Sequence, residues 1–348
     1  MIFIVVLAVL AFEVVDVVLG ERQPPRATPR RMLTAAWDGI AGVWTGEGTA
    51  GDSGGDVSRL AFLPLPYVNY GLKPGFTREG EPLRTTNSLG FRGPEVVVPK
   101  PEGVYRIVCL GGSTTYSDAV ADDETYPIVM EAMLRERHPD RNIEVVNAGV
   151  PSYTTAESLA NFAFRCIELE PDAIVVYHAA NDYRPRNYVN FEPSYFHYRK
   201  VWDGTLRNRS TGDLPELRGG INPLIQLPPL ADNGKPVENV ERAGIGAYTR
   251  NLTSIAGLAR AHGVSTVFVT FLADPDSEWS DERMLRGMAE HNAAMQQVAD
   301  RSGALLVDLA DLMQPVGMFH DPVHLNVEGC KVKARVIANG LSKGLFGG

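Results

Sequence analysis

From about residue 104 the chain alternates short apolar runs with longer segments in which apolar side chains recur every three or four positions. The runs that predict β-strands are 105–110, 143–146, 173–177, 266–271 and 304–309, and the segments that predict helices are about 125–137, 155–169, 246–262, 282–302 and 326–342. Strands that alternate with helices are typical of a parallel sheet covered on both faces. The pattern therefore predicts an α/β fold, a three-layer α/β/α sandwich around a central, mostly parallel five-stranded sheet.

The residues before this pattern are organised differently. Residues 21–101 are rich in Gly, Pro, Arg and Ser, and predict a linker followed by an N-terminal extension. The main domain is predicted to span 102–348. An insertion at about 183–243 separates its third and fourth strands, and the aromatic side chains of this insertion either cover the functional site or form a small core of their own.

Residues 2–19 form an almost wholly apolar stretch, close to the roughly 20 residues that a helix needs to cross a bilayer. Glu13 and Asp16 interrupt it on one helix face. No basic segment precedes the stretch and no clear small-residue cleavage site follows it. Residues 1–20 therefore predict a retained membrane anchor, with a cleaved signal segment and a buried or interfacial helix as alternatives. The arginines that follow favour a cytoplasmic body under the positive-inside rule.

Charge and cysteine content narrow the classes of function. The 348 residues carry a formal net charge of −9 and lack the basic clusters that bind phosphates, so nucleic acid is not an expected partner. Cys109, Cys166 and Cys330 are widely spaced and show no metal-ligand pairing. We expect Cys109 and Cys166 to be buried free thiols.

Candidate chemistry begins at the end of the first predicted strand, where two glycines precede Ser113. Glycines allow the sharp turn that presents a serine hydroxyl at a strand end. A serine becomes a nucleophile only beside a base, and the base needs a group that orients it. The C-terminal segment offers both, because Asp321 precedes His324 by three residues in a short loop. The alternative is that Asp321 caps the following helix and His324 lies on the surface.

Attack on a carbonyl also needs hydrogen-bond donors for the negative oxygen that forms. The Gly149 backbone N–H follows the second predicted strand, and the Asn181 side-chain amide follows the third. In an open α/β sheet, sites form beyond the carboxyl ends of the strands. Ser113, Gly149, Asn181 and the loop with His324 are therefore expected to converge at one edge of the sheet.

The ordered residues Ser113, Gly149, Asn181 and His324 resemble the signature residues of the SGNH (GDSL-type) hydrolases, over about residues 104–345. The resemblance implies the flavodoxin-like fold of that family. It implies that Ser113 is the nucleophile and that Asp321 and His324 complete the catalytic set. The oxyanion hole that it implies consists of Ser113, Gly149 and Asn181.

Two positions depart from the family pattern. Gly112 stands where the family usually has aspartate, and Ala179 stands where it usually has glycine. Neither change removes a group assigned to the chemistry. Residues 86–95 are also similar to bacterial members with an N-terminal membrane segment. That similarity implies a periplasmic or extracellular catalytic domain, against the arginine pattern.

The resemblance implies a serine esterase that forms an acyl-enzyme on Ser113 and requires no metal or organic cofactor. Its expected small-molecule substrates are short-acyl esters of carbohydrates or lipids. An O-acyltransferase would use the same residues and stays an alternative. A membrane-tethered binding or assembly protein is the other alternative, although the intact set of catalytic residues argues against it.

Overall fold

The computed structural model describes residues 62–63, 65, 67–68, 70–78, 83–187, 191–195, 244–278 and 280–347. The predicted membrane segment 2–19, most of the linker and most of the insertion lie outside these residues, and what was predicted for them stays a prediction. Within the described ranges, no helix is both long enough and apolar enough to span a membrane.

Nine strands and eight α-helices lie in the described part of the chain. The strands are β1 (Phe62–Leu63), β2 (Gly71–Leu72), β3 (Thr77–Arg78), β4 (Arg84–Thr85), β5 (Val104–Gly111), β6 (Asn142–Gly149), β7 (Ala173–Tyr177), β8 (Ser265–Val269) and β9 (Leu305–Val307). The helices are α1 (Ser113–Tyr116), α2 (Tyr126–Arg137), α3 (Thr155–Phe164), α4 (Ala180–Tyr183), α5 (Gly246–Ala261), α6 (Glu282–Ser302), α7 (Leu309–Leu312) and α8 (Val327–Leu345).

Strands β5 to β9 form one sheet in the order β6-β5-β7-β8-β9, and every neighbouring pair is parallel. Helices α2 and α8 pack together as one group, and α5 packs against both α3 and α6 as a second. Every residue of β7 is buried, as expected for a central strand covered on both faces. The predicted three-layer α/β/α fold with a five-stranded parallel sheet is confirmed.

The register of the sheet places the candidate chemistry at one edge. Gly111, the last residue of β5, pairs with Gly149 at the end of β6 and with Tyr177 at the end of β7. Ser113 and Asn181 follow two of these aligned ends within a few residues. The carboxyl ends of the three strands therefore meet where the sequence predicts a site.

Polar side chains define the ends of several helices. At the start of α3, the Thr154 N–H donates to the Glu157 carboxylate at 2.7 Å, and the Thr154 hydroxyl accepts from the Ala156 N–H at 3.2 Å. At the start of α8, the Asn326 side chain accepts from the Gly329 N–H at 3.0 Å. These contacts satisfy N–H groups that have no partner inside the helix.

Two predicted elements are several residues longer than the observed ones, and side-chain hydrogen bonds lie where these two elements end. The helix predicted over 155–169 ends at Phe164, where the Arg165 guanidinium donates to Asn161 and to the Leu89 carbonyl, and a 3-10 turn over Cys166–Leu169 follows. The strand predicted over 304–309 spans only Leu305–Val307. The strand ends at Val307, and the side chain of the next residue, Asp308, accepts a hydrogen bond from the Thr270 hydroxyl.

Arg106 of β5 fastens part of the extension to the sheet. The residue is fully buried, and its guanidinium donates to the Val97 carbonyl at 2.8 Å and to the Leu169 carbonyl. Its Nε also contacts the Glu144 carboxylate of β6. All three cysteines are likewise buried, and none forms a disulfide.

The variant Arg106→Met is expected to lower the free energy of unfolding by about 2–4 kcal/mol, because it leaves buried acceptors and the Glu144 carboxylate without their donor. Urea unfolding measures the change. The control is Arg137→Met at an exposed position of α2, for which we expect a change within about 0.5 kcal/mol. Equal changes in the two variants would contradict the assigned role of Arg106.

Candidate active site

Ser113 is the first residue of α1 and contacts His324 across the sheet edge. Ser113 Oγ lies 2.7 Å from His324 Nε2, and His324 Nδ1 lies 2.7 Å from Asp321 Oδ2. Ser113 and His324 are 211 positions apart in the sequence. The structure thus brings together the three side chains that the sequence predicts as nucleophile, base and orienting carboxylate, in the geometry that proton transfer requires.

The loop that carries the base is short and closed. Phe319 and Leu325 form an antiparallel bridge, and within it the His320 N–H donates to the His324 carbonyl at 2.7 Å. A further hydrogen bond, from the Asp274 N–H to the carbonyl of Pro322, attaches the loop to the segment after β8. Few backbone conformations remain available to the loop, so the imidazole is held in place.

Hydrogen bonds keep Asp321 ionised. Its Oδ1 accepts from the backbone N–H groups of Val323 at 3.0 Å and His324 at 2.9 Å, while Oδ2 faces the imidazole. Partial burial of the carboxyl raises its pKa, but the hydrogen bonds outweigh this effect and hold the pKa of Asp321 well below its ordinary range. A carboxylate in this position accepts from Nδ1–H and leaves Nε2 free to take the serine proton.

Asn181 lies in α4 against the glycine that precedes the nucleophile. Its Nδ2 donates to the Tyr153 carbonyl at 3.0 Å, and the second hydrogen of the amide remains for another acceptor. A Cβ at Gly112 would lie 2.5 Å from this Nδ2 and 3.2 Å from the Tyr153 oxygen. Gly112 has φ −88°, so it is required for space rather than for an unusual backbone conformation. In this chain the glycine lets the Asn181 amide approach the nucleophile turn.

Gly149 contacts the back of α1 rather than the cavity beside the nucleophile. A Cβ at Gly149 would lie 2.2 Å from Tyr116 N and 2.7 Å from the Thr115 carbonyl carbon. Its N–H donates to Asn147 Oδ1 at 3.0 Å. Donation from Gly149 to an oxyanion would require this bond to break. The Ser113 N–H, in contrast, has no acceptor among the described residues.

Arg92, which was not among the predicted functional residues, contacts the chain that follows the nucleophile turn. This buried guanidinium donates to the carbonyls of Ser117 at 2.7 Å and Val120 at 2.6 Å, and also to that of Tyr116. Its Nε pairs with Asp122 at 2.9 Å. Arg92 belongs to residues 86–95, whose similarity to other hydrolases was the one signal that could have identified it. The extension therefore supports the chain that follows α1.

Lys333 is a second basic residue that the sequence analysis missed. It is 1% exposed in α8, and its Nζ lies 3.3 Å from the carbonyl of Thr114, the residue after the nucleophile. The Tyr177 and Tyr126 ring centroids lie 3.3 and 3.8 Å from this nitrogen. Burial lowers the pKa of Lys333 to about 7.

A second Ser–His–Asp group lies next to the site, and its His178 also lines the cavity. Ser158 Oγ lies 2.7 Å from His178 Nε2, whereas His178 Nδ1 is 3.7 Å from Asp182 Oδ2. All three residues are buried. Asp182 instead accepts from the N–H and hydroxyl of Thr155 and from the hydroxyl of Tyr195. This group joins α3 to the end of β7 and supports the Asn181 loop.

Tyr195 is one of two insertion aromatics in the described residues 191–195. It is buried and bonded to Asp182, so it belongs to the packing under the insertion rather than to the cavity beside Ser113. The other insertion aromatics, apart from Phe191, lie outside the described residues. The prediction that the insertion covers the site stays a prediction.

An open cavity of about 290 Å³ adjoins the nucleophile. Its lining includes predicted catalytic residues and apolar side chains, among them Ser113, Asn181, Arg184, Phe271, Val323 and His324. In the described part of the chain, no group of three or more His, Cys, Asp and Glu side chains is arranged to hold a metal ion. The arrangement offers a nucleophile, a base and amide donors beside a small space for substrate.

Comparisons with known proteins agree with this arrangement. The model of the GDSL-like lipase/acylhydrolase family matches residues 109–332. A search of curated proteins finds no match.

Solved structures similar to this chain include an α/β hydrolase enzyme from the metagenome of Lake Arreo, Spain. It is 19% identical, with 69% of this chain and 94% of that chain covered and a TM-score of 0.43. An acetylxylan esterase from Geobacillus stearothermophilus is 16% identical, with 68% and 94% covered and a TM-score of 0.46. A structure described as a lipolytic protein of the G-D-S-L family from Desulfitobacterium hafniense is 12% identical, with 68% and 99% covered and a TM-score of 0.44.

The variant Gly112→Ala is expected to reduce kcat by about 10- to 100-fold, because the new methyl group displaces the Asn181 amide from the nucleophile turn. The displaced atom is the end of a side chain, so we expect thermal unfolding to change little. Ester hydrolysis and thermal unfolding measure the two effects. Gly257→Ala in α5, where a Cβ meets no atom within 4 Å, is the control with unchanged activity. A Gly112→Ala protein with full activity would contradict this account of the glycine.

The variant Lys333→Met is expected to change how stability depends on pH. Between pH 7 and about 10.4 the unfolded chain binds a proton at Lys333 that the folded chain lacks. The cost of burying Lys333 is thus fully present below about pH 7, and it disappears as the pH rises toward 10. Urea unfolding from about pH 6 to 9.5 should show that the wild type gains stability relative to Lys333→Met. Exposed Lys331→Met is the control, and parallel pH curves for wild type and Lys333→Met would disprove the expectation.

Proposed function

This chain belongs to the GDSL-like lipase/acylhydrolase family of ester-hydrolysing enzymes, and we propose that it acts through an acyl-enzyme on Ser113. The observation that carries the proposal is the continuous contact from Ser113 Oγ through His324 to Asp321, with 2.7 Å at each step. A hydroxyl alone is a poor nucleophile, and this contact supplies the base that activates it.

In the proposed reaction, Ser113 Oγ attacks the ester carbonyl as its proton passes to His324 Nε2. Asp321 stabilises the imidazolium that forms. The Ser113 N–H and the free hydrogen of the Asn181 amide are the donors proposed for the tetrahedral oxyanion. The imidazolium then returns the proton to the departing alcohol. A water molecule, activated by His324, releases the acid and restores Ser113.

The lining and exposure of the site support an acyl-ester substrate and hydrolysis. Apolar side chains such as Phe271 and Val323 line the cavity beside Ser113, which suits the hydrocarbon part of an acyl group. The side chains of His324 and Asp321 are 20% and 41% exposed, so water can reach the base. We propose short-acyl esters of carbohydrates or small lipids as substrates. An O-acyltransferase would instead have to keep water from this base.

The test is hydrolysis of p-nitrophenyl acetate and of longer acyl homologues by the full chain and by Ser113→Ala. We expect the variant to lose at least about 1000-fold in kcat, because the nucleophile is absent. Mass spectrometry of a rapidly quenched reaction should show one acyl adduct on the wild type and none on the variant.

Ser158→Ala is the matched control, since it also removes a hydroxyl that lies 2.7 Å from a histidine Nε2. This variant keeps the nucleophile, so it should still form the acyl adduct and should lose far less activity than Ser113→Ala. Wild-type protein that is folded yet inactive toward every ester would contradict the proposal. Preferential transfer of the acyl group to an added sugar, rather than to water, would establish the acyltransferase instead.

A further inference from the structure

Arg184 is the one lysine or arginine among the described residues that line the cavity beside Ser113. It directly follows α4, three positions after Asn181, and residues three apart on a helical backbone share a face. Its own backbone is helical, with φ −56° and ψ −47°. The Arg184 side chain therefore lies on the same face of this helical turn as the Asn181 side chain.

The Arg184 guanidinium forms no ion pair with the described residues. The side chain is exposed, and no carboxylate or other acceptor among the described residues pairs with its guanidinium. Arg186, two residues later, shows the contrast, because it is buried and pairs with Glu290 at 2.7 Å. The first arginine of this turn faces the cavity, and the second fastens the turn to α6.

An unpaired guanidinium at the mouth of a site favours anionic ligands. Its planar donors match the oxygens of a carboxylate, a sulfate or a phosphate, and bidentate contacts add direction to the attraction. The chain as a whole carries a net charge of −9, so attraction of an anion must come from local positive charge. Arg184 supplies such a charge beside the reacting carbonyl.

We propose that Arg184 is a specificity-determining residue and that the preferred ester carries an anionic group near the scissile bond. This inference rests on the proposed function, because it concerns the substrate of the same site. The anionic group is on the acyl part or on the alcohol part of the ester. The guanidinium binds it while the carbonyl lies between Ser113 and Asn181.

The test compares anionic esters with neutral partners of similar size, using the full chain. The first pair is p-nitrophenyl hemiglutarate and p-nitrophenyl valerate, which places the carboxylate on the acyl part. The second pair is para-carboxyphenyl acetate and para-carbamoylphenyl acetate, which places it on the alcohol part. We expect wild-type kcat/KM to favour the anionic member of at least one pair.

Substitution of Arg184 should remove this preference. In Arg184→Gln we expect the ratio of kcat/KM for the anionic and neutral esters to fall by about tenfold or more, mainly through KM. Arg184→Lys should retain part of the preference, since it keeps the charge without the bidentate geometry. Added salt should weaken the preference in the wild type. Arg260→Gln, at an exposed position of α5 away from the cavity, should leave both ratios unchanged.

The possible failures are distinguishable. If the wild type hydrolyses the neutral esters but shows no anionic preference, the inference is wrong and the proposed function stands. The same holds if Arg184→Gln lowers the rates for both members of a pair equally, which would indicate a general positioning role. If the wild type hydrolyses none of the four esters, the proposed function fails, and the inference fails with it.

Discussion

The site depends on how closely the backbone of the nucleophile turn approaches the ends of β6 and β7. At Gly149, a side chain would overlap the backbone of Thr115 and Tyr116, and at Gly112 it would overlap the Asn181 amide. Protein interiors are too densely packed to absorb such overlaps without movement. Because neither glycine has a side chain, the ends of β5, β6 and β7 can converge around Ser113.

Two buried basic side chains from distant elements stabilise the nucleophile turn. Arg92 of the N-terminal extension donates to three carbonyls at and after the end of α1, and Lys333 of α8 donates to the carbonyl of the residue next to the nucleophile. Carbonyl groups in a tight turn need donors, and long basic side chains supply them from distant elements. The extension and the last helix thus both act on the geometry of Ser113, although neither contributes the nucleophile.

The strength of the local signals explains which predictions succeeded. The five strands and the long helices follow from apolar periodicity, and the sequence places them close to their observed bounds. The two elements that were predicted several residues too long end where Arg165 and Asp308 form tertiary hydrogen bonds, which periodicity does not encode. The contacts among Ser113, His324 and Asp321 could be anticipated because the predicted chemistry needs each residue type beside the next. The contacts of Gly149 could not be predicted in the same way. A glycine at a strand end indicates that another group lies close to its backbone, but it does not identify that group.

By itself the sequence determined the order of strands and helices and the candidates for the reactive groups, because both depend on residue type and local spacing. It also determined that these groups follow strand ends, and parallel strands bring such ends to one edge of the sheet. Only the tertiary structure decided which donors face the nucleophile. Hydrogen bonding and burial at each atom depend on residues far away in the sequence, such as Arg92 and Lys333. For the same physical reason the contact between Ser113 and His324 is partly exposed, whereas the contact between Ser158 and His178 is buried.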